Sequence, residues 1–278
     1  MRPEAVERAL APLPEGYRTL FDRLLTVVEH DERIRALWLS GSLARGDADA
    51  GSDLDVLLAV ADDDRDGFAE NWREWLATIT PTLIARPLTF APGSFYSLTR
   101  DCERLDVVVE TVTTARTTTP FRTRLVVLDR DGLHEDLPDP EPPKLPDRER
   151  MEWIVEEFFR LLAIFVPVNL VRKDYLLGVV GVQGTRQMLH ELFVNANQPL
   201  PATGVKQWSS KLTPAQRALM ESLPPLDATR ESLVPAMLAT AEAFRTAGRE
   251  ALEAQGIPWP EDLDHTVSAH VTAALVQL

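Results

Sequence analysis

The 278-residue chain is poor in cysteine and in long apolar runs. Its one cysteine, Cys102, excludes an internal disulfide, and its acidic neighbours make an activated thiol unfavourable, so we interpret it as structural. The longest apolar run, at 161–168, is too short to cross a membrane. The first residues contain no apolar stretch of the kind found in a secretory signal. We therefore expect a cytoplasmic protein with no membrane partner.

Basic charge is also scarce, because 29 lysines and arginines stand against 43 aspartates and glutamates, for a net charge of −14. A protein that grips long nucleic acid needs a basic footprint, so we expect no such partner. An acidic surface suits a cationic ligand, although it serves solubility equally well. An acidic protein that binds an anionic ligand must supply local positive charge. The oligomeric state stays open at this point.

The apolar pattern changes at a proline-rich stretch, residues 138–146, which reads as a stiff linker because proline extends neither a helix nor a central strand. Before it, helical spacing and strand-like runs are mixed, which predicts a layered sheet domain. After it, helical spacing predicts a bundle. The expected strands lie at 34–39, 54–60, 82–90, 95–99, 104–112 and 125–128. The expected helices lie at 15–31, 66–79, 147–167, 169–195, 212–223, 229–254 and 260–278.

The segment G-S-L-A-R-G-D-A-D-A-G-S-D-L-D at 41–55 carries the strongest functional signal. Gly41 and Ser42 can bring backbone N–H groups and a hydroxyl close to phosphate oxygens. A short helical turn at S-L-A-R-G would direct its N-terminus toward that anion. The alternative is a hairpin with a loop of small residues.

Two aspartates, Asp53 and Asp55, flank one apolar residue at the end of this segment. Side chains alternate along a strand, so both carboxylates would point to one face. Mg²⁺ prefers carboxylate and phosphate oxygens together. A phosphate-binding turn followed by a Mg²⁺ site indicates nucleotide chemistry.

A third acid, Asp106, opens the apolar strand in E-R-L-D-V-V-V-E-T-V. Enzymes that transfer nucleotides with two metal ions need a third carboxylate of this kind. An unpaired carboxylate is also unfavourable to bury in an apolar strand, which favours a functional reason for Asp106. Glu110 lies on the same face of that strand and is the alternative metal ligand or base. The other interpretation of Asp106 is a strand-end residue that is exposed or paired with Arg104.

These residues together resemble the DNA polymerase β-type nucleotidyltransferase superfamily, whose pattern is Gly-Ser, a spacer, Asp-x-Asp and a later strand acid. Gly41, Ser42, Asp53, Asp55 and Asp106 match that pattern position by position. The layout also resembles the bacterial antibiotic nucleotidyltransferases that act on aminoglycosides or lincosamides, in which a helical domain follows the catalytic one.

The resemblance implies an α+β fold with three parts. A catalytic domain at 1–137, with a mixed sheet flanked by helices, is followed by the linker at 138–146. A helical bundle at 147–278 would bind the acceptor and the nucleotide.

The resemblance also implies an activity, the Mg²⁺-dependent transfer of a nucleoside monophosphate to a hydroxyl of a small molecule, with release of pyrophosphate. The default donor is ATP, and the acceptor would be an aminoglycoside or a lincosamide antibiotic. Asp53 and Asp55 would hold the ion that bridges the triphosphate. Asp106 would complete the shell of a second Mg²⁺ and accept the acceptor's proton. The alternatives are a protein or RNA acceptor and a nucleotide-binding module without turnover.

Candidate residues in the helical half rest on weaker resemblances. The chain has four lysines, and G-V-K-Q-W-S-S-K-L at 204–212 resembles the segment that reaches the triphosphate in related adenylyltransferases. Lys206 is the candidate there and Lys211 the alternative, with a surface lysine as the simpler explanation. V-R-K-D-Y-L-L at 171–177 resembles a helix segment that faces the acceptor. Asp174 would contact the acceptor together with Glu110, although a helix-surface ion pair explains Asp174 more simply.

Overall fold

The computed structural model of the protein describes residues 3–89, 91–117, 123–139, 142, 144–200 and 207–278. The chain divides into two compact units, Met1–Pro142 and Pro143–Leu278. The division falls within the proline-rich stretch 138–146. None of the described helices combines the length and the apolar character that a membrane span requires.

The first unit contains a mixed sheet and short helices. Its strands are β1 (Ile34–Leu39), β2 (Leu54–Val60), β3 (Thr82–Pro87), β4 (Ser94–Thr99), β5 (Arg104–Thr111) and β6 (Leu125–Asp129). Its helices are α1 (Glu4–Leu10), α2 (Glu15–His30), α3 (Gly41–Arg45), α4 (Arg65–Glu70), α5 (Trp72–Ile79) and α6 (Val112–Thr117). The strand order is β3-β4-β5-β2-β1-β6, in which β2 and β5 run parallel and the other described pairs are antiparallel.

Alternation along β2 gives the sheet two different faces. Leu54, Val56 and Leu58 pack into the larger apolar core, with side chains of α2, α4 and α5. Leu57 and Ala59 point the other way, into a smaller cluster around Trp38. Asp55 is two residues from Leu57, so its side chain points to the same face of the sheet, the one with the smaller apolar cluster.

All the secondary-structure elements described in the second unit are helices. Its helices are α7 (Arg148–Phe165), α8 (Tyr175–Ala196), α9 (Pro214–Ser222), α10 (Arg230–Ala243), α11 (Arg249–Ala254) and α12 (Glu261–Val276). Side chains cap several N-termini, as where Asp147 accepts from the N–H of Arg150. In the core, Phe158 stacks on Phe244 with ring centroids 3.9 Å apart. The predicted α+β fold, with a mixed sheet followed by helices, is confirmed.

Two predicted helices were wrong in their extent. The helix expected at 66–79 is two helices, α4 and α5, because the backbone of Asn71 leaves the helical region and its side chain bonds back to Gly67. The helix expected at 169–195 begins only at Tyr175, since Lys173 has a φ of +56° and Asp174 caps the new helix. The sequence analysis also missed α1 and α6.

Candidate active site

The segment after β1 forms the predicted short helical turn, α3. The N–H of Ser40, at its N-cap, donates to the carbonyl of Asp55 at 2.9 Å and so joins the start of the turn to β2. Gly46 ends the turn in the left-handed conformation, and its N–H donates to the carbonyl of Ser42 at 3.0 Å. The hydroxyl of Ser40 is buried and lacks a hydrogen-bond partner among the described residues, which indicates an incomplete polar environment beside the turn.

Gly41 lies directly against the carboxylate of Asp55. Its φ is +60°, a conformation that L side chains rarely adopt. A Cβ at this position would lie 2.1 Å from Oδ2 of Asp55, far inside van der Waals contact. Glycine is therefore required both by the backbone conformation and by the close approach of the turn to the aspartate.

Asp53, Asp55 and Asp106 come together at one end of the strand pair β2–β5. One carboxylate oxygen of each lies within 4.8 Å of the others. Asp53 directly precedes β2, and the parallel register places Asp55 beside Asp106. Asp53 is buried, and the other two are partly buried. We refer to these three residues as the carboxylate cluster.

The donor set of the carboxylate cluster fits a hard divalent cation. All three side chains offer oxygen ligands, which Mg²⁺, Mn²⁺ and Ca²⁺ prefer over softer ions. Like charges at this separation repel one another, so a cation among them would lower the electrostatic energy.

Arg104, the first residue of β5, also contacts the carboxylate cluster. Its Nη1 lies 3.9 Å from Oδ2 of Asp53, and its Nη2 donates to the carbonyl of Gly51 at 2.7 Å. Its backbone N–H donates to the hydroxyl of Tyr17 at 3.1 Å. Hydrogen bonding with Tyr17, followed by the charges of Asp53 and Asp106, raises the pKa of Arg104.

The sequence analysis named Arg104 only as an alternative partner of Asp106, and it did not identify Tyr17. The alternation that groups Arg104 with Asp106 on one face of the strand was a usable signal. Tyr17 gave none, because 87 residues separate it from its hydrogen-bond partner.

Glu110 lies further along β5, on the face of Asp106, and is bound by Arg124. Both nitrogens of the Arg124 fork donate to the Glu110 carboxylate, Nη2 at 3.3 Å from Oε2. The two side chains are largely buried, with 7% of Arg124 and 12% of Glu110 exposed. Arg124 also covers the ring of Trp38 at 5.0 Å. The predicted acceptor ligand Glu110 is thus held by a cation of the chain itself.

The candidate residues of the second unit lie apart from these strands in sequence, and their roles stay predictions. Asp174 caps α8, where its Oδ1 accepts from the N–H of Leu177 at 3.1 Å. Lys206 lies outside the described residues. Lys211 ends a short turn, and its carbonyl accepts from Asn197 at 2.9 Å.

A histidine fixes the segment that contains Lys211 to α8. The ring of His190 stacks on Trp208 with centroids 3.6 Å apart, and its Nε2 lies 2.9 Å from the carbonyl of Trp208. Burial lowers the pKa of His190 from its ordinary value of 6.5, so the neutral ring predominates at neutral pH. The sequence analysis assigned no role to any histidine.

A mixed sheet with a helical turn after β1, and three acids gathered at one end of β2 and β5, is the arrangement expected of a nucleotidyltransferase. The family model described as streptomycin adenylyltransferase matches residues 16–274, and the chain belongs to that family. The predicted enzyme class is therefore confirmed. No curated protein matches the chain in sequence.

Several solved structures are similar to the chain. An aminoglycoside 6-adenyltransferase from Bacillus subtilis is 16% identical, with 93% of this chain and 97% of that chain covered and a TM-score of 0.46. A CCA-adding enzyme in apo form I is 13% identical, with coverages of 78% and 59% and a TM-score of 0.33. A STING-associated CdnE c-di-GMP synthase from Capnocytophaga granulosa is 11% identical, with coverages of 86% and 82% and a TM-score of 0.31. Family membership rests on the family model.

Proposed function

We propose that this enzyme transfers AMP from ATP to a hydroxyl of an aminoglycoside of the streptomycin type, with release of pyrophosphate. The observation that carries the proposal is the carboxylate cluster, whose oxygens lie within 4.8 Å of one another beside α3. The family model supports both adenylyl transfer and an antibiotic acceptor. In this proposal the enzyme is cytoplasmic, the first unit performs catalysis, and the second binds acceptor and nucleotide.

Asp53, Asp55 and Asp106 would hold Mg²⁺, and two ions are expected. When bound, Mg²⁺ neutralises the triphosphate and stabilises the charge that develops around the α-phosphorus. The oxygen-only donor set supports this assignment over a softer metal.

The turn at Gly41 and Ser42 would bind the β- and γ-phosphates. The first N–H groups of a helix have no partner inside the helix and favour an anion, and Ser42 adds a hydroxyl. Because Gly41 lies against Asp55, phosphates on the turn would be next to the carboxylate cluster. Lys206, or Lys211 in its place, would add positive charge at the triphosphate.

In the transfer step, the acceptor's hydroxyl oxygen forms a bond to the α-phosphorus while the bond from that phosphorus to the bridging oxygen of the β-phosphate breaks. Pyrophosphate leaves with that bonding pair. The hydroxyl proton passes to a carboxylate oxygen of Asp106. Glu110 is the less suitable base, because accepting a proton there would break its largely buried ion pair with Arg124.

The acceptor would be a small cationic molecule. Aminoglycosides carry several positive groups, and the net charge of −14 favours their approach over that of RNA. Asp174 and Glu110 are the proposed acceptor contacts. To contact an ammonium group, Glu110 would have to give up its hydrogen bonds with Arg124 or bind both cations at once.

The test is a screen of the purified enzyme with Mg²⁺, each of the four nucleoside triphosphates, and a panel of aminoglycosides and lincosamides. Pyrophosphate release gives the rate, and mass spectrometry detects acceptor carrying one AMP. We expect ATP and streptomycin to give the highest turnover, and Asp53→Asn to abolish it.

Other results of this screen would separate the alternatives. Turnover with lincosamides alone would change the acceptor class. ATP binding in calorimetry without turnover on any small acceptor would contradict the proposal, and it would favour a silent module or a macromolecular acceptor.

A further inference from the structure

We infer that Arg104 is a positioning residue of the carboxylate cluster, which holds Asp53 and the loop before it in place ahead of cation binding. This inference rests on the proposed function for the nature of the cation site. It adds a residue to that site to which neither the Gly-Ser and Asp-x-Asp motifs nor the family match gives a role.

The guanidinium of Arg104 connects two segments that each supply a carboxylate. Arg104 lies two residues before Asp106 on β5. From there its Nη2 donates to the carbonyl of Gly51 at 2.7 Å, and its Nη1 lies 3.9 Å from Oδ2 of Asp53. A planar guanidinium reaches both groups at once, which a lysine ammonium cannot do in the same geometry. Arg104 therefore fixes the distance between the loop before β2 and the start of β5.

Tyr17 fixes the strand end from which Arg104 extends. Its side chain is 8% exposed, and its hydroxyl accepts the backbone N–H of Arg104 at 3.1 Å. Arginine stays protonated in proteins, so its charge is permanent. The buried tyrosine thus anchors Arg104 to α2.

The position of Asp53 explains why such an anchor matters. Asp53 directly precedes β2, whose register with β5 begins at Leu54. Three carboxylates this close repel one another, so a positive group that links the segments bearing them opposes their separation. The 3.9 Å separation exceeds a hydrogen bond, so Nη1 attracts Asp53 by charge without donating to Oδ2. We expect the gain from positioning Asp53 to outweigh the repulsion that Arg104 exerts on an incoming cation.

The experiment measures Mn²⁺ binding by electron paramagnetic resonance in the absence of nucleotide. Arg104→Gln should bind Mn²⁺ about tenfold more weakly than the wild type, the size of effect seen for residues that orient metal ligands. Arg104→Lys should fall between the two. The matched control is Arg8→Gln, which removes an arginine from an exposed pair with Glu4 and should leave Mn²⁺ binding unchanged.

Steady-state kinetics provide a second readout. The Mg²⁺ concentration at half-maximal rate should rise in Arg104→Gln, and kcat should recover at saturating Mg²⁺. A general loss of structure would instead lower kcat at every Mg²⁺ concentration. Should Arg104→Gln not fold, Tyr17→Phe keeps the guanidinium and removes the anchor, and it should weaken Mn²⁺ binding by about threefold.

Asp53→Asn separates failure of this inference from failure of the proposed function. If Asp53→Asn loses Mn²⁺ while Arg104→Gln binds it as the wild type does, or more tightly, Arg104 does not position the cluster. If the wild type binds no Mn²⁺, or Asp53→Asn binds it normally, the cluster is not the cation site. The proposed function then fails together with the inference.

Discussion

The two faces of the sheet in the first unit are built from the same strands but differ in what they bury. On one face, Val56 and Leu58 of β2 pack fully among the apolar side chains of α2, α4 and α5. On the other face, Leu57 and Ala59 contribute to a small apolar cluster. The next residue of β2 on that face is Asp55, a member of the carboxylate cluster. Alternate residues of one strand therefore contribute to the apolar core on one face and, on the other, to the carboxylate cluster that is the proposed active site.

This contrast predicts that substitutions on the apolar face change mainly the stability, and that substitutions on the face of the carboxylate cluster change mainly the activity. Burial of apolar surface drives folding, and the larger apolar core supplies most of it in this unit. The carboxylate cluster buries polar groups whose like charges repel one another, so it contributes little to that driving force. Substitutions on the two faces should therefore affect different measurements.

The largest expected effect follows from Asp55→Asn. It should lower kcat by about 10³-fold or more, because the cation would lose a charged ligand. The melting temperature should change little, since Asn keeps the size of Asp and removes one of three like charges. Pyrophosphate release and thermal denaturation measure the two quantities, with exposed Asp63→Asn as the control. A variant that keeps near wild-type turnover would disprove the assignment.

Leu58→Ala tests the opposite face of the same strand. Leu58 is fully buried, so the substitution should lower the free energy of unfolding by about 2–5 kcal/mol. The kcat of the folded enzyme should change little. Urea denaturation and activity well below the transition measure this, with Leu83→Ala, whose side chain is 57% exposed, as the control. A large fall in kcat of fully folded protein would show that the faces are not independent.

Gly41→Ala tests the contact between the turn and Asp55. The added Cβ would meet Oδ2 of Asp55 and displace it, so kcat should fall by about 10²-fold. Gly46→Ala is a matched control, because Gly46 has a φ of +79° but no atom within 4 Å of its Cβ position. Both variants should lose stability of about 1–2 kcal/mol from the left-handed backbone. Equal kcat values for the two would contradict a positioning role for Gly41.

The smallest expected effect concerns Glu110, on the site face but away from the cluster in the strand register. Glu110→Gln should lower the free energy of unfolding by about 2 kcal/mol, since Arg124 loses its charged partner. The fall in kcat should stay below about tenfold if Asp106 is the base. Replacing both Glu110 and Arg124 with Met should recover much of the stability. A loss in kcat as large as that of Asp55→Asn would instead identify Glu110 as the base.

Local sequence patterns predicted the parts of the fold that depend on nearby residues. The bounds of β1 and β2, the turn at α3 and the shared face of Asp53 and Asp55 follow from alternation and from Gly41. The late start of α8 could not be predicted in this way. The apolar spacing continues past Lys173, but the backbone of Lys173 interrupts the helix.

The remainder of the site depends on pairs that are distant along the chain. The sequence suggested Asp106 as a third acid, but its place beside Asp55 depends on the parallel register of β5. The contacts of Arg104 with Gly51, and of Arg124 with Glu110, join segments that no periodic pattern relates. Such contacts arise from tertiary packing, so the sequence indicated the acids of the site but not the contacts that the arginines beside them make.

The parallel pairing of β2 with β5 has a consequence for how the enzyme becomes active. The α-helices α4 and α5 and the strands β3 and β4 lie between these partners along the chain. Pairing of β2 with β5 is therefore a contact between residues far apart in sequence, and such contacts form slowly. An intermediate that contains β1, α3 and β2 would possess the turn at Gly41 and two of the aspartates but not the third. The three carboxylates therefore come together only when β5 pairs with β2.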